Sequence, residues 1–183
     1  MRLSLGGFVL ILGLMTACSE SSGLLAVWVE YDTEVTFVET ADDTVTVSHD
    51  PNQSLDVASI ANAIVCGKLD PNQSSFTLVT VNPEIADTQG ELTATLVVND
   101  DETPLFSWSG PLVGGSKSIT FSQASLNISP AGQQALESAL TSVERTYQIR
   151  YHFKTDVSVD VAQFRVVHRV IVGASEGACA ISN

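Results

Sequence analysis

Basic residues are scarce. Eight lysines and arginines face 21 aspartates and glutamates, for a formal charge of −13. A surface this acidic repels phosphodiester backbones and anionic headgroups, which argues against nucleic acid and against electrostatic adhesion to lipid. It suits a well-hydrated module, or a binder of cationic partners or divalent ions. Cysteine is scarcer still, at three in 183 residues, and there are three histidines. His-Glu-x-x-His and Ser-x-x-Lys do not occur, so those hydrolase arrangements lack their signatures, and Gly-x-Ser-x-Gly occurs once, as "GASEG" (173–177). The glycine-containing stretch "GPLVGGSK" (110–117) lacks the Gly-Lys-Ser/Thr ending of a phosphate loop and reads as a hairpin turn. Long apolar runs are missing too, with one exception at the N-terminus, so no second segment approaches the length of a membrane span.

That exception is informative. Arg2 supplies a positive start, "LSLGGFVLILGLM" an apolar core, and Thr16 and Ala17 the small residues before Cys18. Charge, apolar run and small residues in this order make a secretory signal peptide, and the run is short for a span. The tetrad Met15, Thr16, Ala17, Cys18 resembles the lipobox of bacterial lipoproteins: an aliphatic residue, a small one, Gly or Ala, then Cys. Met15 stands where Leu is more usual. The resemblance covers residues 1–18 alone and names a processing class without naming a fold. It implies that residues 1–17 are removed as a signal peptide and that Cys18 is lipidated, palmitate included, as the mature N-terminus. Several acyl chains hold a domain firmly where one would be marginal. Ser19, in place of Asp after the cysteine, goes in that family with outer-membrane delivery. The implied address is the bacterial cell envelope, at the outer membrane, with the lipid on Cys18 as the contact to the bilayer. An ordinary secreted protein cut nearby, or an uncleaved anchor, is the alternative.

Cutting before Cys18 removes 17 residues and leaves 166, enough for a single domain with a real core. Loss of Arg2 takes the formal charge from −13 to −14. Residues 18–23 read as the lipidated cysteine and a short tether, and 24–183 as one domain. Cys66 and Cys179 then form an even pair in an exported chain, which points to a disulfide. Two buried thiols are the alternative. Asn52, Asn72 and Asn127 begin Asn-x-Ser strings, read here as turn chemistry and not as glycosylation sites.

The dominant period is two. "TEVTFVE", "DTVTVSH", "FTLVTV" (76–81), "ELTATLVVN" (91–99), "SITFS" (118–122) and "TYQIRYHFK" (146–154) alternate apolar with polar. Such alternation means strands with one buried face. Val35, Phe37, Val45 and Val47 fall on inward positions, as do Tyr147, Ile149, Tyr151 and Phe153. "FRVVHRVIVGA" (164–174) is apolar on both faces and reads as a central strand. "DPNQS" occurs at 50–54 and 70–74 with unlike flanks, so it is one turn recipe used twice. A helix capped by Ser54, carrying Val57, Ile60, Ala61 and Ile64, is expected to end at Gly67. Ser129 and Pro130 start a second, carrying Leu136, Ala139, Leu140 and Val143. The fold class expected is mainly β, an antiparallel β-sandwich with two short helices. Its closing hairpin, 146–154 with 164–173, resembles the last strand pair of immunoglobulin-like sandwiches. The Cys-Trp-Cys spacing of immunoglobulin domains is absent, so that resemblance is architectural.

Candidate chemistry is sparse. His152 and His168 are expected on paired strands, where they could be half of a metal site. No third ligand is evident, and surface histidines are the more ordinary reading of His49, His152 and His168. The acids Asp42 with Asp43, Asp100 with Asp101 and Glu102, and Asp156 with Asp160 could offer calcium its oxygens, but none follows an EF-hand pattern and solvated turns explain them. Trp28 and Trp108 lie in apolar runs and read as core. The expectation is therefore a non-catalytic binding or structural module, with no catalytic residue, no metal site and no cofactor. Its partner would be an unknown envelope protein or glycan. The alternatives are a hydrolase of envelope polysaccharide using dispersed carboxylates, or a calcium-dependent adhesin-like module.

Overall fold

In the computed structural model, residues 26–82, 88–115, 117–123 and 125–180 are described. Cys18, the signal segment and the tether lie outside them. Alternation runs nearly unbroken through two long stretches, and each is a single strand: β1, Ala26–His49, and β8, Tyr147–Gly173. They pair antiparallel along their whole length, from Ala26 opposite Gly173 to His49 opposite Tyr147. Between them lie β2 (Cys66–Leu69), β3 (Ser75–Asn82), β4 (Gln89–Val98), β5 (Asp101–Pro111), β6 (Ile119–Thr120) and β7 (Leu126–Ile128). Two helices complete the described chain, α1 (Leu55–Ile60) and α2 (Pro130–Thr141).

The expected closing hairpin is corrected by this topology. Residues 146–154 and 164–173 do not pair with each other, because both belong to β8. What reads as a turn around Asp156 is a bulge: Lys154 faces Asp42, Val159 faces Thr40, and residues 155–158 crowd opposite Ala41. Glu39 next to it takes a left-handed φ of 51°. Extra residues on one strand bend a ribbon sharply. The bend lets β8 change partners on its other edge, from β4 along residues 148–155 to β3 along 161–167, then to β2 along 170–173. One ribbon thus runs through two layers. The first holds β8's early half, β4, β5 and β7; the second holds its later half, β3 and β6.

The layers face each other across an aromatic core. Phe76 of β3 lies 5.2 Å from Trp108 of β5, Phe153 lies 5.6 Å from Phe164 across the bend, and Phe37 lies 5.2 Å from Phe153. Tyr147, Ile149, Tyr151 and Phe153 are all buried on the face the alternation assigns them. Segment 112–128 nearly closes the far side: β6 pairs with β3, and after one turn β7 pairs with β5. The result is an antiparallel β-sandwich close to a barrel, with two short helices.

Strand β5 is the element that the sequence hides. "NDDETP" reads as a turn, and the turn ends within two residues: Asn99 and Asp100 take φ of 51° and 68° and return the chain as β5. Pro104 sits in that strand beside the register shift between Ala94 and Thr95, where a missing N–H is tolerated. Helix α1 is shorter than expected. It stops at Ile60, passes through one 3-10 turn over Ala61–Ala63, and gives way to β2, so Cys66 is on a strand and ends no helix. Gly67 is not a helix terminator either. A Cβ there would meet the Leu140 Cβ at 2.5 Å, so its bare backbone is what lets α2 pack on β2. The two "DPNQS" stretches do share one geometry, with Asp50 and Asp70 each accepting from the backbone N–H two residues on, at 3.0 Å.

Helix α2 starts as its sequence predicts. Ser129 is extended and its Oγ accepts from the Gly132 N–H at 3.2 Å, with Pro130 in the first turn. Leu136, Ala139 and Leu140 are buried, whereas Val143 lies beyond the helix and is exposed. Ser129→Ala leaves that N–H without its cap and should cost about 1 kcal/mol in chemical denaturation. An unchanged midpoint would mean that solvent replaces the cap fully.

Candidate functional site

Bending the β1–β8 ribbon brings its two ends together. Each arm ends in a cross-strand tyrosine–histidine pair: Tyr31 opposite His168 on one, His49 opposite Tyr147 on the other. The four rings meet as a plug. Tyr31 stacks on His168 at 4.9 Å, Tyr31 meets His49 edge-on at 4.7 Å, and the two imidazoles stand at right angles 4.6 Å apart. The Tyr147 hydroxyl and His168 Nε2 share a hydrogen bond of 2.8 Å. All four residues are buried, none more than 3% exposed.

The plug holds unmatched polar atoms. Neither ring nitrogen of His49 has a hydrogen-bond partner among the described residues, nor does Nδ1 of His168 or the hydroxyl of Tyr151 beside them. Burial penalises every charged form here. It pushes His49 down to about 4. His168 is driven well below its ordinary value, first by burial and then by His49 next to it. Tyr31, Tyr147 and Tyr151 are pushed up by the same desolvation, with Asp50 adding to the effect on Tyr31. The cluster is therefore uncharged at neutral pH. Its imidazoles can donate or accept single hydrogen bonds, but their titration is displaced from the range a neutral-pH proton shuttle needs.

A cavity of about 450 Å³ opens against the plug, walled by His49 and Tyr147 and rimmed by Asp50, Asn99, Asp100 and Gln148. Three segments build it: the corner after β1, the turn between β4 and β5, and the start of β8. Buried unmatched polar groups and a ligand-sized space coincide here, as they do at a second cavity of about 500 Å³ against Arg145, whose buried Nε is also unmatched.

The other candidate residues fall elsewhere. His152 and His168 are not on paired strands. They share β8, and His152 lies on the outer face, where its Nε2 is 2.6 Å from Asp42 Oδ1. His49 and His168 are buried, so the surface reading holds for His152 alone. No group of three His, Cys, Asp or Glu side chains converges as a metal site among the described residues. Glu102 pairs with Arg150. Asp32 takes a two-pronged contact from Arg165 at 2.5 and 2.8 Å. Trp108 is core, as expected. Trp28 is half-buried and carries the Arg169 guanidinium 4.4 Å above its ring. Cys66 and Cys179 are bonded, with Cα atoms 6.1 Å apart.

No family model matches this chain. No curated protein matches it either. Among solved structures, a chain of Desmodium yellow mottle tymovirus is similar at 10% identity, over 88% of this chain and 94% of that one, with a TM-score of 0.36. A chain of turnip yellow mosaic virus gives 9% identity over 88% and 98%, with a TM-score of 0.39.

Proposed function

We propose that the chain is a lipid-anchored, non-catalytic binding or structural module of the bacterial cell envelope, held at the outer membrane through lipid on Cys18. The observation that carries the reading is the use of the cysteines. Of three, one ends the signal-like apolar run and the other two are bonded to each other. A structural disulfide belongs to an oxidising compartment, and a signal peptide delivers a chain to one. The two features are independent, and both support an exported chain. The acidic balance supports a hydrated domain tethered close to the membrane by residues 18–23, with an envelope protein or glycan as partner and no nucleic acid.

Fractionation of cells carrying Cys18→Ser tests the anchor. The wild-type protein is expected in the membrane fraction, released by detergent and not by high salt, and the variant in the soluble fraction. A variant that stays equally membrane-bound would overturn the lipid anchor. Palmitate labelling of the wild type and not of Cys18→Ser gives the second readout.

A further inference from the structure

We propose that the cavity beside the tyrosine–histidine plug binds an uncharged, hydroxyl-rich ligand, a saccharide unit of one or two rings. This deepens the envelope-binding reading and rests on it. At about 450 Å³ the space is within the range that holds small ligands. Its lining selects among ligand chemistries. Ser48, Thr146, Asn99 and Gln148 each offer both donor and acceptor atoms, Asp50 and Asp100 offer acceptors, and neither Lys nor Arg is among the lining residues. An anion would meet two carboxylates and no cation. A sugar hydroxyl donates and accepts at once, which is what a mixed set of amides, hydroxyls and carboxylates satisfies.

Most of these side chains are also uncommitted. Asp50 is spent on its own turn, accepting from the Asn52 N–H at 3.0 Å and from the Gln53 amide at 3.3 Å. Ser48, Asn99, Asp100, Thr146 and Gln148 make no side-chain hydrogen bond or ion pair among the described residues. The second, independent observation is His49. It is 2% exposed, forms part of the cavity wall, and has a donor and an acceptor nitrogen without protein partners. Both nitrogens are closed off from solvent, so His49 is a wall of the cavity and a reporter of its occupancy, and the polar contacts to a ligand fall to the uncommitted side chains around it. Val97 adds an apolar stretch of wall for the C–H face of a ring.

The test uses the full-length protein in a detergent without a sugar headgroup. Glucose, N-acetylglucosamine and glucosamine are titrated to about 50 mM, above the millimolar dissociation constants of weak single-site ligands. Histidine side-chain NMR resonances are the readout. The expected result is a saturable shift of the His49 resonances with at least one uncharged sugar. In Asn99→Gly/Asp100→Gly the affinity should fall at least about tenfold. Glycine keeps the left-handed φ of both turn positions while removing the two side chains. Gln148→Ala, on the exposed face of β8, should weaken binding without touching the turn. No saturable shift with any sugar would overturn the proposal, and so would shifts of equal affinity in both variants. Shifts with glucosamine alone, or with calcium chloride and none of the sugars, would overturn it in favour of a cation. Membrane partition of Cys18→Ser is read separately, so either reading can fail without the other.

Discussion

Lowering the pH from 7 to 4 should cost the fold about 3 kcal/mol through His49 alone. The sign follows from where the proton goes. In the unfolded chain His49 titrates near 6.5, whereas burial in the folded chain pushes it down to about 4. Above pH 6.5 the ring is neutral in both states and its stability contribution is fully present. As the pH falls below 6.5, the unfolded state takes up a proton that the folded state refuses, and stability drops by about 1.4 kcal/mol per pH unit until the folded ring titrates as well. Over some 2.5 units that amounts to about 3 kcal/mol. His168 is displaced in the same direction, so the slope between pH 6.5 and 5 should approach twice the single-site value. Urea denaturation at intervals across that window measures it, ahead of most carboxylate titration. His49→Phe keeps a ring of similar shape in the plug and cannot take the proton. It should roughly halve the slope, and an unchanged slope would mean that His49 is not buried neutral.

The plug is partly legible in the amino-acid sequence. In "FRVVHRVIVG" His168 has the same parity as Phe164, Val166, Val170 and Val172, all of which are buried, so a period-2 count places it inside. His49 shares its parity with Val45 and Val47 in the same way. Reading the histidines as surface residues gives weight to residue type where alternation is the stronger signal. What the sequence does not carry is the meeting of the two pairs. Tyr31 and His49 lie on one strand and touch only because the ribbon bends between them. The bend depends on the unequal count of residues on the two sides of the bulge, and that count is defined only once the strands are paired.

The same cause explains why the fold has one bent ribbon where the sequence pattern predicts a closing hairpin. Strand positions and inward faces follow from alternation, which each strand carries locally. Whether two alternating runs are two strands or one bent strand is not local. Asp156 and Asp160 look like turn residues, and here they flank and enter a bulge. In β5, Pro104 and three acids in succession at 100–102 mask a strand that gains its stability from Leu105, Phe106 and Trp108 packing inward. Burial of that face overrides weak local propensity. Helix α1 shows the converse. Its 3.6-residue pattern extends to Ile64, but pairing of Cys66–Leu69 with the end of β8 claims the chain first.

Removal of the Cys66–Cys179 bridge is expected to be the most damaging simple change outside the aromatic core. The chain after β8 is mostly small residues, with Cys179 ending a 3-10 segment, Glu176–Cys179, that no strand pairing holds. Cys66 is on β2, directly opposite Gly173, so the bond fastens this tail to the last paired residues of the ribbon. Both cysteines are buried, together with Ile171. The bridge closes a sequence separation of 113 residues. A loop that long gives about 4–5 kcal/mol by loss of entropy in the unfolded chain, an upper figure because residual structure there lowers it. Cys66→Ala/Cys179→Ala should therefore lose about 2–5 kcal/mol in denaturant, and reduction of the wild type should lose a similar amount. Limited proteolysis should then reach the released tail after Gly173 before it cuts any strand. Non-reduced peptide mapping of protein from an oxidising compartment should recover the two cysteines in one linked fragment. Free thiols at both positions there would remove the bridge, and with it the observation on which the envelope address rests.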